Sequence, residues 1–331
     1  MAIVGVDRVV FGVESMKKAQ QFYTDFGLKK IKSSPKHSIY EASNKSRVEI
    51  FPRTAKHLPP AFEKGSTIRI LVWGVDTRDN LKALKADLAR DHEITEDKDG
   101  TFYVTDPMGL CLGFRVSRRI NVKPVIIPMN GPENVHRVDE RAIYYDRARP
   151  VGIGHIVFNV PDLKEMENFY RKRLGFHLTD RYTGRGVFLR SAIRAGHHQV
   201  FFLHDDAPGL NHLAFAVRDV SEMIGGGQYM QKNGWETAVG PGRHIVSSCY
   251  FWYVQSPVGA PNEYFCDEDF CTENWKPKSY DPHPDTFAEW FLTGLPKGKR
   301  LPPTRTKKDV KQAEGRVSRV KAARKQSAVR G

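Results

Sequence analysis

The 331-residue sequence predicts an α+β protein of two homologous halves, each built on a curved mixed sheet. Three observations lead there. Alternating apolar stretches are each followed by a turn signal and then an amphipathic run, which reads as strand followed by helix. This order occurs twice in each half. Whole segments also recur along the chain at nearly constant spacing, the mark of an internal repeat.

The first unit is GVDRVVFGVESMKKAQQFYTDFGL from Gly5, and its counterpart is GIGHIVFNVPDLKEMENFYRKRLGF from Gly152. Each gives a strand, a turn and a helix that ends in aromatics and glycine. Tyr23 and Tyr170 match at an offset of 147. Next, IRILVWGVDTRDNLKALKADL from Ile68 parallels NHLAFAVRDVSEMIGGGQYM from Asn211, again strand then helix. Last, YVTDPMGLCLGF from Tyr103 parallels YVQSPVGAPNEYF from Tyr253, both strand, Pro-x-Gly turn, strand. The boundaries expected are a first domain over 1–122, a Pro-rich charged linker over 123–150, a second domain over 151–295 and a tail over 296–331.

Composition narrows the class. The chain is 40% hydrophobic and 27% charged, enough to bury a sizeable core. No run of eighteen apolar residues occurs, so no membrane-spanning helix is expected. The N-terminal residues lack a basic region followed by a long apolar run, so no secretory signal is expected and the location expected is cytoplasmic. Cys111, Cys249, Cys266 and Cys271 are too few for a disulfide scaffold and read as reduced thiols. The formal net charge of +14 is uneven. The last 36 residues hold thirteen Lys/Arg and two acidic residues, leaving about +3 for the rest. That tail has three prolines and no aromatic residue, and it reads as disordered. Without aromatics to stack on bases, nucleic acid is not the expected partner; loose contact with polyanions is what such a tail offers.

The chemistry concentrates in the second half. His155 stands where the first half has Arg8, His212 where it has Arg69 or Ile70, and Glu263 where it has Gly113. All three lie in apolar strand contexts: GHIVF, NHLAF and NEYF. Taken singly, each is readily a core polar residue satisfied by neighbours. Their coordinated presence in one copy and absence from the other favours a shared purpose. Two histidines and a carboxylate on strands are expensive to bury unpaired, and a divalent metal resolves that expense. Two His and one carboxylate with open positions is the donor set of non-haem Fe(II) oxygenases.

At this point the sequence resembles the vicinal oxygen chelate superfamily, and within it the type I extradiol ring-cleavage dioxygenases. The resemblance covers roughly Ala2–Asp269. It is carried most specifically by GHIVFNV, AGHHQVFFL, LNHLAFAV and GPGRHIVSSCYFWYVQSPVGAPNEYF, with His244, Tyr253 and Glu263 spaced by nine and ten residues. It implies two domains of paired βαβββ modules, with metal in the second domain only. It further implies His155, His212 and Glu263 as ligands of Fe(II), with Mn(II) as the alternative ion. His198 would be the acid/base histidine, with His197 as runner-up. His244 and Tyr253 would hydrogen-bond the substrate and the oxygen-derived intermediate. Val157, two residues beyond His155, and Phe188, on the strand before His198, are expected as pocket walls. The substrates implied are a catecholic ring and dioxygen, and a homo-oligomer is expected. A non-redox, metal-dependent member of the superfamily, glyoxalase- or epimerase-like, is the alternative. The segment CDEDFCTENWKPKSYDPHPDTFAEWF after Glu263 is longer than a ligand strand needs, and reads as a lid or a contact between copies.

Overall fold

The computed structural model describes residues 3–126 and 128–293. The basic tail expected over 296–331 lies outside them.

The first half runs β1 (Ile3–Val13), α1 (Met16–Asp25), β2 (Lys29–Ser33), β3 (Ser38–Glu41), β4 (Arg47–Pro52), β5 (Thr67–Val75), α2 (Arg78–Leu88), β6 (Thr95–Glu96), β7 (Phe102–Thr105) and β8 (Cys111–Val116). Its sheet order is β2-β3-β4-β1-β5-β8-β7-β6. This is βαβββ twice, joined where β1 and β5 lie antiparallel.

The second half repeats the plan. β9 (Gly152–Val160) is followed by α3 (Leu163–Asn168), which continues into a π-helical turn over Phe169–Arg173. Then come β10 (His177–Tyr182), β11 (Gly186–Arg190), β12 (Ala195–Gly196) and β13 (Val200–His204). The second module is β14 (Gly209–Ala216), α4 (Val220–Lys232), β15 (Thr237–His244), β16 (Tyr250–Val254) and β17 (Asn262–Cys266). The segment after Glu263 adds β18 (Phe270–Cys271), β19 (Lys278–Tyr280), α5 (Pro284–Phe287) and β20 (Ala288–Phe291). β19 extends the sheet beside β10, and β20 closes the other edge beside β15. This segment therefore covers both sheet edges, which would otherwise offer unpaired backbone groups.

Local chemistry explains the repeats. Every long helix begins at a side-chain cap: Ser15, Thr77, Asp162 and Asp219 each accept the N–H three residues on. In the second half, Glu165 and Glu222 stand three residues beyond their caps, the spacing of a capping box. The central strands are buried on both faces. In β9, Ile156 and Phe158 face the main core, while Val157 joins a separate apolar cluster with Phe188, Phe201 and Val246. That second cluster walls a cavity on one side of the sheet.

The two halves interlock through their helices. Phe26, at the end of α1, stacks on Tyr264 of the second half at 4.0 Å, and Tyr264 Oη donates to the Phe26 carbonyl at 2.8 Å. Trp235 Nε1 donates to Asp25 Oδ2 at 2.9 Å. In the opposite sense, Trp73 of the first half packs edge-on against Phe176 at 5.1 Å.

Candidate active site

Adjacent strands of the second sheet carry the candidate residues side by side. His155 on β9 faces Ala214 on β14, Ala214 faces Glu263 on β17, and Glu263 faces Tyr253 on β16. His212 lies two residues before Ala214, just after a break in the β14 register. Such breaks re-aim side chains beside functional sites. The same ladder in the first half pairs Arg8 with Val72 and Val72 with Gly113. The counterparts of His155, His212 and Glu263 are therefore Arg8, Ile70 and Gly113. Of the two residues the sequence allowed opposite His212, the structure selects Ile70.

The three side chains converge. Glu263 Oε2 lies 3.1 Å from His155 Nε2 and 3.3 Å from His212 Nε2, and the two Nε2 atoms are 3.4 Å apart. One ligand atom from each residue falls within 4.8 Å of the others. Glu263 is wholly buried and its Oε1 has no hydrogen-bond partner. Burial alone would raise its pKa, but hydrogen bonds from His155 and His212 outweigh it and hold the carboxyl below its ordinary range. Burial pushes His155 down to about 4, with the neighbouring His198 adding to the effect, so its imidazole is neutral at pH 7. His212 Nδ1 lies 2.8 Å from Asn211 Oδ1 and donates to it, which turns Nε2 toward Glu263. A buried carboxylate with an orphaned oxygen, facing two imidazole nitrogens, fits a divalent cation.

Gly154 protects this arrangement. A Cβ there would sit 2.2 Å from the ring of Phe265, which packs against His155 at 4.8 Å between centroids.

A cavity of about 290 Å³ opens beside the three residues. His198, His244 and Tyr253 line it, as do Val157 and Phe188. Phe188 stacks on Phe201 at 3.8 Å, making a flat apolar wall. His197 is fully buried and is absent from the cavity lining. No lysine or arginine among the described residues lines the cavity.

His244 lies in a strand, not in a free turn. Its Nδ1 donates to the Phe287 carbonyl at 2.9 Å, and its Nε2 is 3.1 Å from Tyr253 Oη. Burial pushes His244 down to about 4, so its Nε2 is an acceptor for the tyrosine proton. Burial also pushes Tyr253 well above 10, so the phenol keeps that proton.

Sequence reasoning missed three contributors. Glu268 Oε1 is 3.3 Å from His198 Nδ1. Asp180 pairs with His197 at 3.0 Å. Phe287 closes the cavity from α5. Glu268 sits in the acidic run DED, where nothing in the sequence favours one carboxylate over another. Trp275, in the segment after Glu263, folds over the protein's own second half. Its Nε1 donates to the Thr179 carbonyl at 3.0 Å, and its ring meets His197 edge-on.

The family model of the Glyoxalase/Bleomycin resistance protein/Dioxygenase superfamily matches residues 5–114 and 152–264. Metapyrocatechase 2 of Cupriavidus necator is 26% identical over 270 residues, which cover 81% of this chain and 82% of that protein. Among solved structures, the Mn(II)-bound glyoxalase from Novosphingobium aromaticivorans superposes with a TM-score of 0.71 at 22% identity, covering 93% of this chain and 99% of that one. Homoprotocatechuate 2,3-dioxygenase from Arthrobacter globiformis gives 0.68 at 17% identity, covering 89% of each. At those identities the two structures speak for the fold alone. The family match, spanning both halves and most of the described residues, shows that the chain belongs to the Glyoxalase/Bleomycin resistance protein/Dioxygenase superfamily.

Proposed function

We propose that this protein is an extradiol dioxygenase that opens a catecholic ring with dioxygen. The observation that carries the reading is the convergence of His155, His212 and Glu263 beside an apolar cavity that His198, His244 and Tyr253 also line. The similarity to a metapyrocatechase over most of both chains supports it.

His155, His212 and Glu263 would hold one divalent ion, Fe(II) or Mn(II). Such an ion supplies Lewis acidity to two vicinal hydroxyls and an electron path between ring and dioxygen. The protein's own groups do the remainder. Phe188 and Phe201 present a flat wall against which an aromatic ring lies, and Val157 and Val246 exclude water from it. His198 takes a proton from one catechol hydroxyl, breaking O–H and forming N–H, and later returns it to a departing oxygen. Tyr253 can turn its O–H from His244 toward an oxygen on which charge develops. The cavity's apolar lining, without Lys or Arg among the described residues, suits a ring with hydrocarbon substituents.

The glyoxalase-like alternative shares the scaffold. It gives His198, His244 and Tyr253 no common task around an aromatic pocket. A direct test is metal analysis of the purified protein alongside ring cleavage of 3-methylcatechol. The proposal expects one ion per chain, and its loss in His155→Ala, His212→Ala and Glu263→Ala together with turnover. Metal retained in all three variants would overturn the ligand assignment.

A further inference from the structure

His198 is held from behind by a chain of groups that no part of the proposed chemistry has used. Its Nδ1 is 3.1 Å from Nδ1 of His197 and 3.3 Å from Oε1 of Glu268. The Nε2 of His197 is 3.0 Å from Oδ2 of Asp180. Oδ1 of Asp180 accepts the backbone N–H of Lys278 at 2.7 Å. His197 is fully buried and Asp180 is 1% exposed. Trp275 packs over this pair from the segment after Glu263.

Two facing Nδ1 atoms can share only one proton between neutral imidazoles, so the direction of the chain matters. Asp180, as a carboxylate, can only accept, so His197 carries its proton on Nε2 and donates it there. Burial outweighs the attraction of Asp180 and favours the neutral form of His197. Its Nδ1 is then a bare acceptor. His198 must therefore place a proton on Nδ1, where His197 and Glu268 both receive it, and in the neutral ring Nε2 is then a lone pair.

We propose that Asp180 and His197 are positioning residues that fix the tautomer of His198, so that its Nε2 is the atom that accepts the catechol proton. This rests on the dioxygenase reading for its consequence in turnover, but not for the tautomer itself. It also assigns His197 a role that its absence from the cavity lining conceals. The logic is that of a buried carboxylate orienting a catalytic imidazole through hydrogen bonding.

Asp180→Asn is the sharp perturbation. The Lys278 N–H requires an oxygen at Oδ1, so the new amide must point its NH₂ toward His197 Nε2. His197 then moves its proton to Nδ1 and confronts His198 Nδ1 as a donor. Glu268→Gln is the contrast, because its amide oxygen still accepts from His198 Nδ1 and from the His198 backbone N–H at 3.3 Å.

The test is histidine ¹⁵N NMR on the full chain loaded with Zn(II) as a diamagnetic probe ion, with steady-state kinetics on the Fe(II)-loaded protein. The wild type should show His198 protonated at Nδ1 and bare at Nε2. Asp180→Asn should change that pattern and Glu268→Gln should preserve it. With 3-methylcatechol, Asp180→Asn should lose about 10²–10⁴-fold in kcat with KM little changed. A wild-type His198 protonated at Nε2 overturns the proposal, and this observation needs no variant to fold. So does an unchanged His198 pattern in Asp180→Asn. A wild type that shows the expected tautomer but cleaves no catechol overturns the dioxygenase reading and leaves the tautomer assignment standing.

Discussion

Asp106 offers a quantitative test of the first half. It opens the Pro-Met-Gly turn before β8, where Oδ1 accepts the N–H groups of Met108 at 3.1 Å and Leu110 at 2.9 Å. Its Oδ2 is buried with no partner. Burial pushes the carboxyl up to about 7, against the pull of the backbone N–H groups. The second half solves the same turn with a neutral residue: Ser256 Oγ accepts from Val258 N–H at 3.3 Å and donates to the Ala260 carbonyl at 2.8 Å. A carboxyl whose pKa is higher folded than unfolded stabilises the fold fully below the unfolded pKa of 3.8, and that contribution is lost as pH rises through about 7. At about 1.4 kcal/mol per pH unit, the rise corresponds to a ceiling of roughly 4 kcal/mol. Asp106→Asn keeps the Oδ1 acceptor and imitates the protonated acid. Thermal melts from pH 4 to pH 8 should show the variant matching wild type at pH 4 and exceeding it by several degrees at pH 8. A variant that is less stable than wild type by the same margin at every pH would mean that Asp106 is ionised and bonded, and the reasoning fails.

Three further outcomes follow from the site. Gly154→Ala should push Phe265 off His155 and lower metal affinity about tenfold or more, read by competition with a chelator, while Gly131→Ala, whose added Cβ comes no nearer than 3.7 Å to another residue, should leave affinity unchanged. Catechols bearing a carboxylate should show at least ~100-fold lower kcat/KM than 3-methylcatechol, because an ion entering this cavity finds no cationic side chain among the described residues. Equal rates for the two would contradict the reading of the walls. His198→Phe should keep its metal and lose about 10²–10⁴-fold in turnover; a variant that loses the metal instead would place His198 among the ligands.

Much of this was legible because the chain compares itself with itself. The offset of 147 aligned β1 with β9, and the caps Ser15 and Asp162 fall at that same offset. His155, His212 and Glu263 stood out since Arg8, Arg69 or Ile70, and Gly113 occupy their places in the first copy. The register opposite His212 was not legible, because a strand break beside it makes sequence spacing ambiguous by one residue. Asp180 and Glu268 were hidden for a different reason. Each reaches the site through tertiary folding, Asp180 through the bulged β10–β11 pairing and Glu268 through a loop that returns beneath β12. The edge strands β19 and β20 were equally hidden, since a segment of mixed polarity shows little strand periodicity.

In the proposed function both atoms of dioxygen enter one catecholic ring at the site built by His155, His212 and Glu263. The most direct measurement uses ¹⁸O₂ with the Fe(II)-loaded protein and 3-methylcatechol, with mass analysis of the freshly formed product. The expected result is a yellow ring-opened product formed with one O₂ consumed per ring, labelled in both of the oxygens added, and no product from Glu263→Ala. A catechol left intact, with no oxygen consumed by metal-loaded wild type, would contradict it.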